Sequence, residues 1–426
     1  MEEFIAMDYL KDIGESAKKA ARALSTSSAQ LRHQALTNIS KHLLDSQGQI
    51  LEKNILDIEN AKNSGQSEAF IDRLLLTPER LEKIAKDTIN VASLPDPIGE
   101  DIETYTRPNG ITLTRKRVPL GVIGVIYESR PNITIDISAL CLKSGNAAIL
   151  RGGSESFHSN NILAEIVQAA ITEVGLPKEC VQILKDTDRA LVGKMLQMND
   201  YIDLMIPRGG LELVSRVSKE ASMPAITGGV GVCHIYVDAT SSIDMATKIV
   251  YNAKVQRPSV CNALDTLIIE SSALGTHLNS IAKALAGANV EMRCDERSEE
   301  ILKTNEGMRI SKVTKSDWDT EHLDLIMGIK VVDSIDEALD HIFEHSTGHS
   351  ESIITENPDA ATRFLEEVDS SAVMVNASTR FNDGGEFGLG AEVAVSTGKV
   401  HARGPMGLKE LTSYKWIVIG NGQVRD

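Results

Sequence analysis

The sequence predicts an α/β protein carrying two series of strand–helix alternation, each expected to close into a parallel sheet. Three observations predict it. Short apolar runs alternate with helically spaced segments from residue 118 to 206, and again from 232 to 375. The chain has 426 residues, too many for one ordinary core, so two or three domains are expected. Aromatic residues make up only 4%, so Leu, Ile, Val and Ala must fill the interior.

The elements follow in order. Residues 13–44, 50–61 and 79–92 place apolar side chains at helical spacing, and Pro95 and Pro97 end this region. Residues 103–117 alternate, are rich in Thr and carry Asn109-Gly110 at their middle, which predicts a hairpin. After Pro119, strands are expected at 122–127, 147–150, 181–184 and 202–206, with helices at 133–142, 162–173 and 191–198 between them. The second series predicts strands at 232–237, 266–269, 329–332, 352–354 and 372–375. Its helices are expected near 245–253, 278–285, 337–343 and 360–367. The tail from Gly404 is Gly-rich and then β-like at 416–419.

A net charge of −16 argues against a nucleic-acid partner and requires any site for a small anion to be locally basic. The five cysteines are odd in number and form no CxxC, which argues against a disulfide framework or a zinc site and fits a reducing cytoplasm. The first residues, MEEFIAMDYLKDIGES, are acidic and amphipathic, unlike a signal peptide, and no apolar run is long enough to span a bilayer.

Several stretches could carry chemistry. Cys261 lies in the loop-like QRPSVCN between a helix and a strand; an ionised thiol is a strong nucleophile, and Arg257 could lower its pKa. A buried structural thiol is the commoner fate of such a residue, and the local sequence alone favours it. Ser129-Arg130-Pro131-Asn132 follows a strand, where Arg130 could hold a phosphate or carboxylate. Arg151-Gly152-Gly153-Ser154 and Pro207-Arg208-Gly209-Gly210 each place an arginine and paired glycines between a strand and a helix, an arrangement suited to a nucleotide's phosphates. The run from Thr379 to Gly390 is too Gly-rich for regular structure and reads as either a functional loop or a connector. His341, His345 and His349 recur at fourfold spacing, yet no carboxylate completes a metal set, so surface or loop histidines are expected.

Together these stretches resemble a known family. VPLGVIGVI, the run 146–156, Gly228-Gly229, Cys261 and Phe387-Gly388 fall in the order of the aldehyde dehydrogenase superfamily. YESRPNITIDISALCLKSGNAAILRGGSES, PRGG, QRPSVCNALDTL, EALDHIFEHSTGHSESIIT and ASTRFNDGGEFGLGAEVAVSTGKVHARGPMGL resemble its γ-glutamyl phosphate reductase branch, also called glutamate-5-semialdehyde dehydrogenases.

The resemblance covers essentially the whole chain. It implies an aldehyde dehydrogenase-like fold: a Rossmann-like cofactor domain at 1–102 and 118–231, an α/β catalytic domain at 232–400, and a small β oligomerisation element at 103–117 and 401–426. It implies NADPH-dependent reduction of L-γ-glutamyl phosphate to L-glutamate 5-semialdehyde through a Cys261 thioester, the second step of proline biosynthesis. An acylating dehydrogenase for another acyl donor and a catalytically silent binding protein are the alternatives. A homo-oligomer and a contact with glutamate 5-kinase are implied as well.

By the same resemblance, Arg151 replaces a cofactor-binding lysine, and Ser154 stands where an acid often meets the adenosine ribose, which favours NADPH. Gly152, Gly153, Pro207, Arg208, Gly209 and Gly210 would line the cofactor, and Glu321 would hold the nicotinamide ribose. Ser129 takes the place of the oxyanion-hole asparagine; Asn132 lies near it. Arg130, Asn132, Arg257 and Arg380 are the candidates for the substrate's two anionic groups. Ile226 stands where oxidising members carry the glutamate that activates water.

Overall fold

The computed structural model describes residues 2–425 other than 186, 187, 227 and 306; the amphipathic reading of the first seven residues lies outside the described side chains. The chain divides into two compact units. The first comprises residues 1–227, 388–394 and 406–426, and the second comprises 228–387 and 395–405.

The first unit opens with helices Glu2–Ser25, Ala29–Asp45, Gln47–Asn63, Glu68–Leu74 and Pro78–Ser93. The single helical stretch expected over 13–44 is broken because Ser28, in extended backbone, accepts the Leu31 N–H at 3.1 Å and starts a new helix. Thr77 caps the last helix in the same way, with Pro78 at its first position.

A four-stranded sheet follows, all parallel, in the order Val181–Ile183, Ala147–Gly152, Val122–Tyr127, Leu204–Arg208. Val122–Tyr127 is buried along its whole length, which is why it reads as an uninterrupted apolar run. The order of strands reverses there. The chain steps outward from Val122–Tyr127 to Ala147–Gly152 and Val181–Ile183, then returns to its other side with Leu204–Arg208. The carboxyl ends of Val122–Tyr127 and Leu204–Arg208 therefore flank a topological switch point, the usual ligand position in such sheets.

The hairpin strands Asp101–Thr106 and Thr112–Pro119 pair antiparallel, and Thr112–Pro119 pairs on its other side with Thr412–Ile419 near the end of the chain. This three-stranded sheet groups with the first unit and does not form a third body. The expected division at 231/232 falls at 227/228, and residues 388–394 join the first unit. The cause of the latter is a local ladder: Val393 N–H donates to Met406 O, and Met406 N–H to Ala394 O, both at 2.8 Å.

The second unit holds a seven-stranded, all-parallel sheet in the order Arg309–Lys312, Glu291–Cys294, Ile326–Val332, Leu264–Glu270, Cys233–Val237, Ser350–Ile354, Ala372–Val375. Its core is aliphatic, centred on Ile235, Leu267, Ile269 and Ile329. Among the described residues no helix is long and apolar enough to cross a membrane.

Candidate functional site

In the second unit the site is built where the chain enters strands. Gly231, Cys261 and His349 each lie shortly before a strand, at the amino edge of the sheet. Cys261 follows helix Ile243–Val255 and sits in a turn closed by the Ala263 N–H on Val260 O at 3.0 Å. All five cysteines are thiols, and Cys261 alone is half-buried while the other four are buried. Burial pushes Cys141 and Cys180 up to about 12, Cys294 to about 11, and Cys233 well above its ordinary value, so these four stay protonated at neutral pH.

Two of the predicted arginines share this neighbourhood. Arg380, half-buried on the short turn Thr379–Phe381, donates Nε–H to Gln256 Oε1 at 2.8 Å. Burial lowers its pKa, the Arg257 charge lowers it further, and the Asp383 carboxylate and the Cys261 thiol act in the opposite sense. Arg257 is exposed. The unit thus gathers one half-buried thiol and two guanidinium groups, cations of the kind that hold anionic groups.

The backbone behind Cys261 is tightly fitted. A Cβ at Gly231 would overlap the Cys261 carbonyl oxygen and crowd the His349 ring, so no other residue type fits there without movement. The Gly231 N–H is donated to Glu321 Oε1 at 3.0 Å, and burial raises the Glu321 carboxyl to about 7. The buried Cys233 thiol donates to Cys261 O at 3.2 Å.

His341 is not the surface or loop residue expected, and His349, though in the loop before strand Ser350–Ile354, is buried. His341 is buried on helix Ile335–His345, its ring edge-on to His234 and Trp318 with centroids at 5.5 and 5.1 Å. His349 is fully buried beside Ser350 Oγ at 2.7 Å. Desolvation lowers His341 to about 2 and His349 to about 4, so both remain neutral. No group of three or more metal-ligating side chains occurs among the described residues.

In the first unit, Ser129, Arg130, Arg208, Gly209 and Gly210 lie at the switch point, and Arg151 to Ser154 end the adjoining strand. Ser129 has φ +43°, and its N–H and hydroxyl both donate to Glu155 Oε1, at 2.7 and 2.8 Å. The Ser129 hydroxyl, expected to face an oxyanion, is therefore already committed to a carboxylate that sequence reading missed. Asn132 Nδ2 donates to Asp136 Oδ2 at 2.8 Å, one helical turn on.

Gly152 and Gly153 form a cradle: a Cβ on the first would overlap the Asn160 amide, and on the second the Glu155 carboxylate. Arg151 is buried to 8% exposure, and Ser154 is exposed at the start of the following turn. Gly210 N–H, expected to meet a phosphate, is donated to Glu128 Oε2 at 3.0 Å, which places a carboxylate on the start of helix Leu211–Glu220. Pro207 and Arg208 pair with Ile126 and Tyr127 within the sheet. The cradle, the buried guanidinium and the exposed uncharged serine fit a phosphate-bearing dinucleotide, with the Arg151–Ser154 turn the better suited of the two glycine elements.

The aldehyde dehydrogenase family model matches residues 7–301. A γ-glutamyl phosphate reductase of Dehalococcoides mccartyi is 53% identical over 420 residues, covering 99% of each chain, and one of Clostridium tetani is 49% identical over 98% of this chain and 99% of that one. The crystal structure of a γ-glutamyl phosphate reductase from Thermotoga maritima superimposes with a TM-score of 0.95 at 42% identity, over 98% of this chain and all of the other.

Proposed function

The chain belongs to the γ-glutamyl phosphate reductases of the aldehyde dehydrogenase family, and from that premise we propose that Cys261 carries its reaction as a thioester. The reaction is the reduction of γ-glutamyl phosphate, a step of proline biosynthesis, with a nicotinamide cofactor. The observation that carries the cysteine reading is the grouping of the one half-buried thiol with Arg257 and Arg380.

The Cys261 thiolate attacks the acyl carbon, the bond to the phosphate oxygen breaks, and phosphate leaves with a thioester behind. Arg257 and Arg380 bind the phosphate and the α-carboxylate. Bound NADPH supplies a hydride to the thioester carbonyl. The oxyanion formed is met by the Cys261 backbone N–H. Its collapse releases the aldehyde and restores the thiolate.

Arg151 to Ser154 and Pro207 to Gly210 would hold the cofactor. NADPH is favoured over NADH because Ser154 brings no charge to the ribose position and the Glu155 carboxylate is engaged by Ser129. The three-stranded sheet exposes Tyr105, Tyr414, Trp416 and Val418 on one face, an apolar strip that supports homo-oligomer assembly through this element. A contact with glutamate 5-kinase would serve to pass on a labile acyl phosphate.

The test is the reaction run backwards. Glutamate 5-semialdehyde should reduce NADP⁺ in sustained turnover only with phosphate present, and NADP⁺ should exceed NAD⁺ in kcat/KM by at least about tenfold, or roughly 1.4 kcal/mol. Ser154→Glu should narrow that ratio. Turnover that requires coenzyme A in place of phosphate would replace this reading with an acylating dehydrogenase for another donor, and equal use of the two cofactors would remove the NADPH assignment.

A further inference from the structure

Asn262, directly after Cys261, joins the nucleophile's loop to the turn that carries Arg380. Its side chain is 4% exposed, and Nδ2 donates to Asn382 O at 3.1 Å and, at the longer 3.4 Å, to Arg380 O. Its own backbone oxygen accepts from Thr379 Oγ1 at 2.7 Å. Thr379 and Asn382 are fully buried. Asn382 Nδ2 in turn donates to His349 O at 3.2 Å, Ser350 Oγ at 2.9 Å and Ser371 Oγ at 3.2 Å, which fixes the same turn to the amino ends of two strands. At the other end of the loop, Gln256 Oε1 receives the Arg380 Nε–H. The segment 256–262 therefore holds the Arg380 turn at both of its ends, and Cys261 lies between the two attachments.

We propose that Thr379 and Gln256 are positioning residues of the reaction: through Asn262 and Arg380 they fix the distance between the anion-binding guanidinium and the Cys261 thiol. The inference rests on Arg380 as an anion-binding residue. Its physical basis is that an acyl phosphate must be held and attacked at once. A displacement of about 1 Å between the group that holds it and the group that attacks can cost on the order of 100-fold in rate. The Thr379 hydroxyl is the only one of its atoms needed for this, since it alone bonds Asn262 O. A buried carbonyl that loses its donor moves to find another.

Four variants of the full-length enzyme test this in the reverse reaction, with separate KM values for phosphate and for the semialdehyde. Arg380→Gln identifies which anion Arg380 holds, by the KM it raises. Thr379→Val, which keeps the shape and removes the donor, should raise that same KM at least about tenfold. It should leave the rate of Cys261 alkylation by iodoacetamide within about twofold, as a collapsed loop would not. Thr379→Ser, which keeps the hydroxyl, should recover the KM to within about threefold. Gln256→Ala changes an exposed side chain that does not endanger folding and should raise the same KM. Combined with Arg380→Gln, Thr379→Val should add little, because both act through one group.

The positioning role is overturned if Arg380→Gln raises a KM that Thr379→Val, or Gln256→Ala should the former not fold, leaves within about twofold. It is overturned equally if Thr379→Val retains its full effect in the Arg380→Gln background. If Arg380→Gln raises neither KM, the anion-binding reading of Arg380 fails, and the inference fails with it.

Discussion

Glu321 is a carboxyl whose surroundings work against its charge. Burial lifts its pKa from 4.5 to about 7, with the Gly231 N–H opposing the lift and nearby Asp265 adding to it. An unfolded chain releases this proton near 4.5, whereas the folded protein retains it to about 7. The folded state thus binds more protons between those values, and stability is lost as pH rises through that window. Glu321→Gln keeps an oxygen for Gly231 and removes the ionisation. Its stability relative to the parent should therefore be higher at pH 8 than at pH 5 by roughly 2–3 kcal/mol, read from denaturant midpoints at the two pH values. An identical difference at both would show that the carboxyl titrates as it does in water.

Single residues were unevenly legible. Cys261 and Arg380 stand out through the resemblance, since their local sequence alone is equally that of a structural thiol and a connector loop. Glu155 does not, because its meaning lies in a bond to Ser129, 26 residues earlier, that only the adjacency of two parallel strands creates. Asn262 reads as a neutral neighbour of the cysteine; its partners are 117 to 120 residues away.

At the scale of elements, the junction at Gly231 is the least forgiving point. The stretch entering strand Cys233–Val237 lies against the Cys261 carbonyl with no room for a methyl group, and both contacts involve backbone that cannot rotate aside. Gly231→Ala should displace the Cys261 loop, lowering kcat at least about 100-fold. The same change should destabilise the protein by about 1–3 kcal/mol, as overpacking does. Near-normal kcat in a folded Gly231→Ala protein would show that the loop has slack.

Elements with a full period of apolar residues were readable, among them Val122–Tyr127, Leu264–Glu270 and helix Ile335–His345. Glu291–Cys294 and Arg309–Lys312 were not. Each is four residues long and half charged, and they lie side by side at one edge of the sheet, where alternation is weak and the neighbouring strand supplies the order. The inward histidine of helix Ile335–His345, His341, escapes a sequence reading for a related reason. Polar side chains are assigned to the surface by default, and the pocket of His234 and Trp318 that shelters His341 is assembled from three separate segments.

For the whole molecule, the two parallel sheets and the late-returning strand Thr412–Ile419 follow from patterns spread along the chain, whereas the division into units depends on the ladder at residues 393–394 and 406, which no local pattern reveals. The fate of the acyl group is also a property of the whole chain. Ile226, which the resemblance sets where oxidising members of the superfamily carry a water-activating glutamate, is 4% exposed and has its N–H on Met205 O at 2.9 Å. An apolar, sheet-bound side chain there can take no proton from water, so a thioester should persist until phosphate or hydride reaches it. The most direct measurement is a single mixing experiment without phosphate: enzyme, glutamate 5-semialdehyde and NADP⁺, followed by absorbance and by peptide mass spectrometry. The account predicts a burst of about one NADPH per site that then stops, with a glutamyl adduct on Cys261 that phosphate discharges and that Cys261→Ala lacks. Sustained NADPH formation without phosphate, or an unmodified Cys261 after the burst, would contradict it.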